Sequence, residues 1–133
     1  MVVRMSNVVL PIVIVGVMPF ILTGLSKSKG FTPKQNERTR AWQSELTGWR
    51  QRAYWAHQNG FEALPLFAAL AILAQLAKPG SQVTTALAWL FVLLRVGYAA
   101  CYLADTGRLR SLVWLTSQVA MLGLALVALG VIG

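Results

Sequence analysis

The chain has 133 residues, of which 56% are hydrophobic and 12% charged, about half the charged share of an ordinary soluble domain (~25%). Twelve Lys and Arg against four Asp and Glu give a net charge of +8, but the basic residues flank apolar runs instead of forming one basic face, so no nucleic-acid partner is expected. A lone cysteine, Cys101, excludes an intrachain disulfide, and with a single histidine no metal-binding constellation is expected.

Taken in chain order, Met5 to Ser26 contains no ionisable side chain and is long enough to cross a bilayer, which takes about 20 apolar residues. A first span is placed at 6–26. It contains Pro11 and Pro19, which membrane helices tolerate where neighbours re-satisfy the backbone. Arg4 ahead of the run gives it the outline of a secretory signal. No small-residue cleavage site follows, so the helix is expected to be retained. The polar, glycine-ending stretch SKSKG, residues 26–30, closes it. A mixed polar loop is expected at 27–52, with Trp42 and Trp49 placed as interfacial anchors.

The second apolar run, Ala63 to Ala77, is clean but short, so the second span, 56–77, must reach back past Glu62. KPGSQ, residues 78–82, reads as a tight turn. The third span, 82–104, holds one ionisable side chain, Arg95. DTGRLR, residues 105–110, is a second short connection. The fourth span, 111–131, carries Gly123, Ala125, Ala128 and Gly130, small residues that let helices approach closely. The expected fold is an all-α integral membrane protein, a single domain over 1–133 with four transmembrane helices in an up-down bundle.

Orientation follows from charge. Lys27, Lys29, Lys34, Arg38, Arg40, Arg50 and Arg52 lie in or just after the long loop, and Arg108 and Arg110 lie in the last connection. The opposite side has Arg4 and Lys78. Nine against two puts the 27–52 and 105–110 loops in the cytoplasm and both termini outside, with the basic loop facing anionic lipid headgroups.

The segment RAYWAHQNGFEALPLF, residues 52–67, carries polar groups into the membrane. At 100° per residue, Arg52, Trp55, Asn59 and Glu62 share an arc of about 80°, as do Arg95, Tyr98, Tyr102 and Asp105 on the third span. Folding the hairpin at Lys78–Pro79 sets Glu62 level with Arg95, Asn59 with Tyr98, Trp55 with Tyr102, and Arg52 with Asp105. Such acid–base pairs offset each other's desolvation. Glu62–Arg95 is then either a lock on helix register or part of a site. Ionisable groups at membrane depth are functional candidates by default, and Arg108, Arg110 and Ser111 stand at the mouth of the same stripe, where a helix start and guanidinium groups suit an anion. His57 falls on the other side of its helix and is expected at an interface or subunit contact. Cys101 is expected to be a packing residue.

AHQNGFEALPLF, then RVGYAACYLAD, then LRSLVW together resemble the MAPEG family of membrane-associated proteins in eicosanoid and glutathione metabolism, in wording closest to its bacterial branch. The resemblance spans about Arg52 to Gln118. It implies a homotrimer in the bacterial inner membrane with sites between neighbouring subunits, glutathione as cosubstrate, and a lipophilic electrophile as the other reactant. Carried over by motif, Arg52, Asn59, Glu62, Arg95, Tyr98, Tyr102 and Arg108 are expected to bind glutathione. Arg110 and Ser111, with Tyr102, are expected to act on its thiol. The chain departs from the family pattern at Trp55 (where Arg is found), Tyr98 (often His) and Trp114 (often Tyr), and its loop before Arg110 is one residue shorter.

Two functions remain open at this stage. One is a glutathione transferase or peroxidase whose thiolate is stabilised by Arg110. The other is a non-catalytic trimeric binding or scaffold protein with a cleft for an amphiphilic anion. A four-span multidrug transporter is disfavoured because the first span carries no acid. A reporter fused after Gly133 is expected to report an extracytoplasmic C-terminus; a cytoplasmic signal would overturn the charge argument.

Overall fold

The computed structural model describes residues 5–133, so Arg4 lies outside the described residues. It is 81% helical, with no strand among those residues. Four helices are long and apolar enough to cross a membrane: α1 (Ser6–Ser26), α4 (Gly48–Ala77), α5 (Gln82–Leu103) and α6 (Gly107–Ala128). Two short helices, α2 (Pro33–Asn36) and α3 (Thr39–Ser44), fold within the long connection. The chain is an all-α integral membrane protein.

α4 starts at Gly48 instead of 56 and continues through Pro65. Its 30 residues extend about 45 Å at 1.5 Å each, against a hydrocarbon core of ~30 Å. The first turns of α4 therefore stand outside the apolar layer, which is where its polar residues lie. α6 likewise begins at Gly107, four residues before the span placed from hydropathy. Arg108 and Arg110 are therefore in its opening turn and Ser111 one turn inside.

α4 and α5 form the centre of the bundle. α1 and α6 each pack against both of them, with almost no contact between themselves. The core between the helices is built largely from small residues, Ala71, Ala74, Ala88 and Ala120, around a stacked pair, Phe67 and Phe91, with ring centroids 4.2 Å apart. Phe20, Leu93 and Val119 are about 62–66% exposed. In water such exposure would be a liability; in lipid it is the expected exterior.

Small residues set the closest approaches. A Cβ on Gly60 would lie 2.8 Å from Cγ of Pro19, and one on Gly123 would lie 2.9 Å from a Leu87 methyl. Gly60 thus seats the Pro19 ring of α1 on α4. Of the small residues noted in the fourth span, Gly130 instead lies beyond the helix at φ 73°.

The basic loop is folded back on α1. Buried Gln43 donates to Thr23 Oγ1 (2.9 Å) and Ser26 Oγ (2.7 Å), which satisfies polar groups near the end of α1. Trp42 packs on Phe31 at 5.3 Å, and Arg50 donates to the Lys29 carbonyl. Trp49 remains exposed.

Gly60→Ala is expected to lower stability by about 1–3 kcal/mol, the usual cost of overpacking, because the Pro19 ring has no flexible end to move. Gly16→Ala meets only Leu64 methyls at 3.7 Å or more and should melt like the parent. Thermal melts in detergent compare the two; indistinguishable melting temperatures would show that the α1–α4 contact tolerates a methyl.

Candidate functional site

Arg95 is 3% exposed and is the structural centre of the polar stripe. Its Nη2 donates to Asn59 Oδ1 at 2.7 Å. The guanidinium also lies 4.4 Å from the Tyr98 ring centroid, a cation–π contact that strengthens as water is excluded. The expected level pairing of Glu62 with Arg95 is not what forms. Asn59 stands between them, with its Nδ2 3.5 Å from Glu62 Oε2. The reason is the burial gradient across α4: Asn59 is half-buried facing α5 whereas Glu62 is exposed. A neutral amide loses less hydration than a carboxylate when it enters that space.

The outer half of the stripe forms as read from the sequence. Trp55 and Tyr102 face each other at 6.5 Å, and Arg52 Nη1 is 3.9 Å from Asp105 Oδ2. Arg52 does more than pair, however. Its Nη2 donates to the Leu103 carbonyl at 3.1 Å, capping the C-terminal end of α5, where Asp105 takes φ 58°. Arg52 therefore holds the α5–α6 connection and does not line the cleft described next.

That cleft, of about 520 Å³, is lined by Asn59, Tyr98, Tyr102, Arg110, Ser111 and Trp114, with Leu115 at its edge. Its size is within the ~300–1,000 Å³ range of small-molecule sites. Three helices contribute: α4 the amide, α5 two phenols, α6 the guanidinium and the hydroxyl. Tyr98 and Tyr102 meet edge to face at 5.4 Å, and Arg110 lies 4.4 Å over Tyr102. Stacking uses the face of a guanidinium and leaves its in-plane N–H groups to bind an anion. Ser111 donates to the Gly107 carbonyl at 3.1 Å, so its oxygen faces the cleft with its proton already engaged. Arg108 is exposed in the same turn and is not among the lining residues.

A second compartment of about 210 Å³ continues from the first, sharing Asn59 and Trp114 and adding Glu62, Leu66, Gln118 and Met121. Trp114 and Gln118 were not picked out as site residues from the sequence. A signal existed: Ser111, Trp114 and Gln118 follow one another at helical spacing on one side of α6, but none is ionisable, so charge placement did not mark them.

The other side of α4 also carries polar groups. His57 Nδ1 is 2.8 Å from the Pro19 carbonyl of α1, so the histidine expected at an interface or subunit contact lies at the interface between α1 and α4. It also lines a separate cleft of about 570 Å³ whose cations are Lys27 and Arg40. Cys101 is buried, as a packing residue would be. Among the described residues no group of His, Cys, Asp and Glu could hold a metal.

A scan of protein families matches residues 6–130 to the MAPEG family. No curated protein and no solved structure matches the chain.

Asn59→Ala would leave a buried guanidinium without its acceptor and is expected to cost about 1.5–3 kcal/mol, the range for hydrogen bonds to charged groups. Glu62→Ala should cost under about 1 kcal/mol, as exposed charges do. Denaturation of the two variants in the same detergent tests the ranking; a larger loss for Glu62→Ala would restore the direct acid–base pair.

Proposed function

Because the chain belongs to the MAPEG family, a four-helix membrane family generally associated with glutathione, we propose that it is a membrane glutathione transferase or peroxidase acting on lipophilic electrophiles. The observation that supports this most is the convergence of Asn59, Tyr102, Arg110 and Ser111 from three helices on one open cleft. Glutathione would supply the thiol; the chain has no accessible thiol of its own, its single cysteine being buried.

The residues fit such a ligand chemically. Arg110, held on the Tyr102 face, carries the cation that stabilises a thiolate; a nearby positive charge moves a thiol from its usual ~8.5 toward neutrality. The Tyr102 hydroxyl is the readier hydrogen-bond donor to sulfur, since Ser111 must first release the Gly107 carbonyl. Asn59 and Glu62 offer an amide and a carboxylate to the peptide and ammonium groups. The sulfur then bonds to the electrophilic carbon, whose leaving group departs with the bonding pair, and the thiol proton passes to solvent at the mouth. The two-part cleft suits a polar thiol in the larger part and an apolar reactant against Leu66, Trp114 and Met121.

Among the described residues, Arg110 is the one cation lining this cleft, whereas glutathione has two carboxylates. In the homotrimer that we propose, the face bearing Lys27 and Arg40 would meet the cleft of the next subunit and supply the missing charge. With the basic loops in the cytoplasm, the mouth opens on that side of a bacterial inner membrane.

The alternative, a non-catalytic trimeric scaffold with a cleft for an amphiphilic anion, is favoured by one feature: the aromatic Trp55 and Trp114, of which Trp114 lines the cleft, stand where the resemblance implies Arg and often Tyr.

Calorimetry of glutathione binding to detergent-purified protein, with proton release followed in parallel, separates the two. The transferase reading expects saturable binding and release of a proton near neutral pH. It also expects Arg110→Ala to weaken binding about tenfold or more, equivalent to the loss of ~1.4 kcal/mol, and to abolish the release. Binding without release supports the scaffold. No binding at millimolar glutathione defeats both the transferase and its cosubstrate.

A further inference from the structure

Arg95 uses only part of its hydrogen-bonding capacity in the contacts already described. Nη2 is bonded to Asn59 and the face of the group lies on Tyr98, but Nη1 is buried and has no partner. This nitrogen belongs to a side chain that is 3% exposed and attached eight residues before the last residue of α5, roughly 12 Å from that helix end. Bulk water does not reach it by that route.

Arg95 also borders a small void of about 10 Å³, walled by Val15 and Pro19 of α1, Ala56 and Gly60 of α4, and Tyr98 and Ala99 of α5, with Tyr98 shared between it and the cleft. By this measure, one water molecule needs ~10–15 Å³ and two to four polar partners. Space for one is present, and one donor is Arg95 Nη1.

The acceptor comes from the proline. Residue 19 has no N–H, so the Val15 carbonyl, four residues earlier in α1, lacks its helical donor. Val15 is 2% exposed, which denies that carbonyl bulk solvent. The Pro19 carbonyl itself already has His57 as a partner. The residues that carry this donor and this carbonyl, Arg95 and Val15, thus wall the same water-sized space.

We propose that this void is the site of a single structural water, which accepts from Arg95 Nη1 and donates to the Val15 carbonyl. An inorganic anion is a poor occupant: it would satisfy the guanidinium but meet the carbonyl with like charge, and ~10 Å³ holds no ion larger than water. With the water in place, a continuous polar chain runs from the Val15 carbonyl through water, Arg95 and Asn59 to Glu62. It ties α1 to the wall of the cleft. Arg95 is then a positioning residue that acts on the cleft through Asn59, not a group that touches the ligand. This assignment is independent of which ligand fills the cleft.

The test is a structure of the protein in lipid nanodiscs at a resolution that reveals ordered water, determined for the parent chain and for Arg95→Leu. The parent is expected to show one isolated peak within ~3 Å of both Nη1 and the Val15 carbonyl oxygen. In Arg95→Leu the void should be dry, as small apolar cavities are. An empty void in the parent, a direct bond from Nη1 to a main-chain carbonyl, or a peak that persists in Arg95→Leu would each overturn the proposal. Should Arg95→Leu fail to fold, Arg95→Met serves instead: it too removes Nη1, so an unchanged peak would overturn the proposal.

Discussion

A cation at membrane depth has to find its partners inside the protein, and Arg95 imposes that requirement on every helix around it. Placing a charge near the bilayer centre costs at least ~2.5–3.5 kcal/mol on insertion scales. The guanidinium is therefore surrounded by groups that can meet it: the Asn59 carboxamide on one nitrogen and the Tyr98 ring on its face. Tyr98 is on the same helix as Arg95, whereas the Asn59 contact requires α4 and α5 to be adjacent and in one register. With that pair fixed at the centre, α1 and α6 take the flanks, and each flank produces a cleft. The arrangement accounts for the placement of Glu62 as well. Once Asn59 serves the cation, the acid is free to stay at the exposed edge, where its charge is hydrated.

The prolines and glycines of α1 and α4 belong to the same solution. Pro19 presents a compact ring that only Gly60 can accept without a clash, so α1 comes close enough to α4 for His57 to reach the Pro19 carbonyl. The lost amide of proline also leaves a carbonyl in need of a donor beside a guanidinium with a donor to spare. A break in helical hydrogen bonding and a buried charge, each unfavourable alone, become complementary when they share a wall.

On the α6 side, the chemistry alternates between guanidinium and aromatic faces: Arg95 on Tyr98, Tyr98 against Tyr102, Arg110 on Tyr102. Stacking orients each guanidinium without consuming its in-plane donors, so Arg110 is prepared for an anion before any ligand arrives. Such preorganisation matters because donors that need no reorientation stabilise developing charge most effectively. Trp114 makes one wall of this cleft aromatic, where a further cation would bind a carboxylate more tightly.

The division between what is legible in the sequence and what needs the fold follows the range of the forces involved. Apolar run length is a local quantity, and it yields the four helices; helical periodicity, also local, puts Asn59 and Tyr98 in stripes that meet, and the Trp55–Tyr102 and Arg52–Asp105 pairs form as read. Helix ends were less legible, because α4 and α6 begin in polar sequence that hydropathy cannot distinguish from loop. The partner of Arg95 was misassigned to Glu62 because level pairing considers charge and height but not which residue is turned into the protein and which toward the outside. That distinction arises only when α4, α5 and α6 pack. His57 is expected at an interface or subunit contact, but nothing in its own helix reveals that the interface is with α1, where the Pro19 carbonyl lies beside it. Trp114 and Gln118 follow Ser111 at helical spacing, but only the packing of α6 beside α4 shows that this side lines the site. Composition and periodicity thus determined that the chain spans a membrane and carries a buried polar stripe. The tertiary structure decided which polar group satisfies which, because hydrogen bonds across helices depend on rotations and approaches of a few ångströms that no linear pattern encodes.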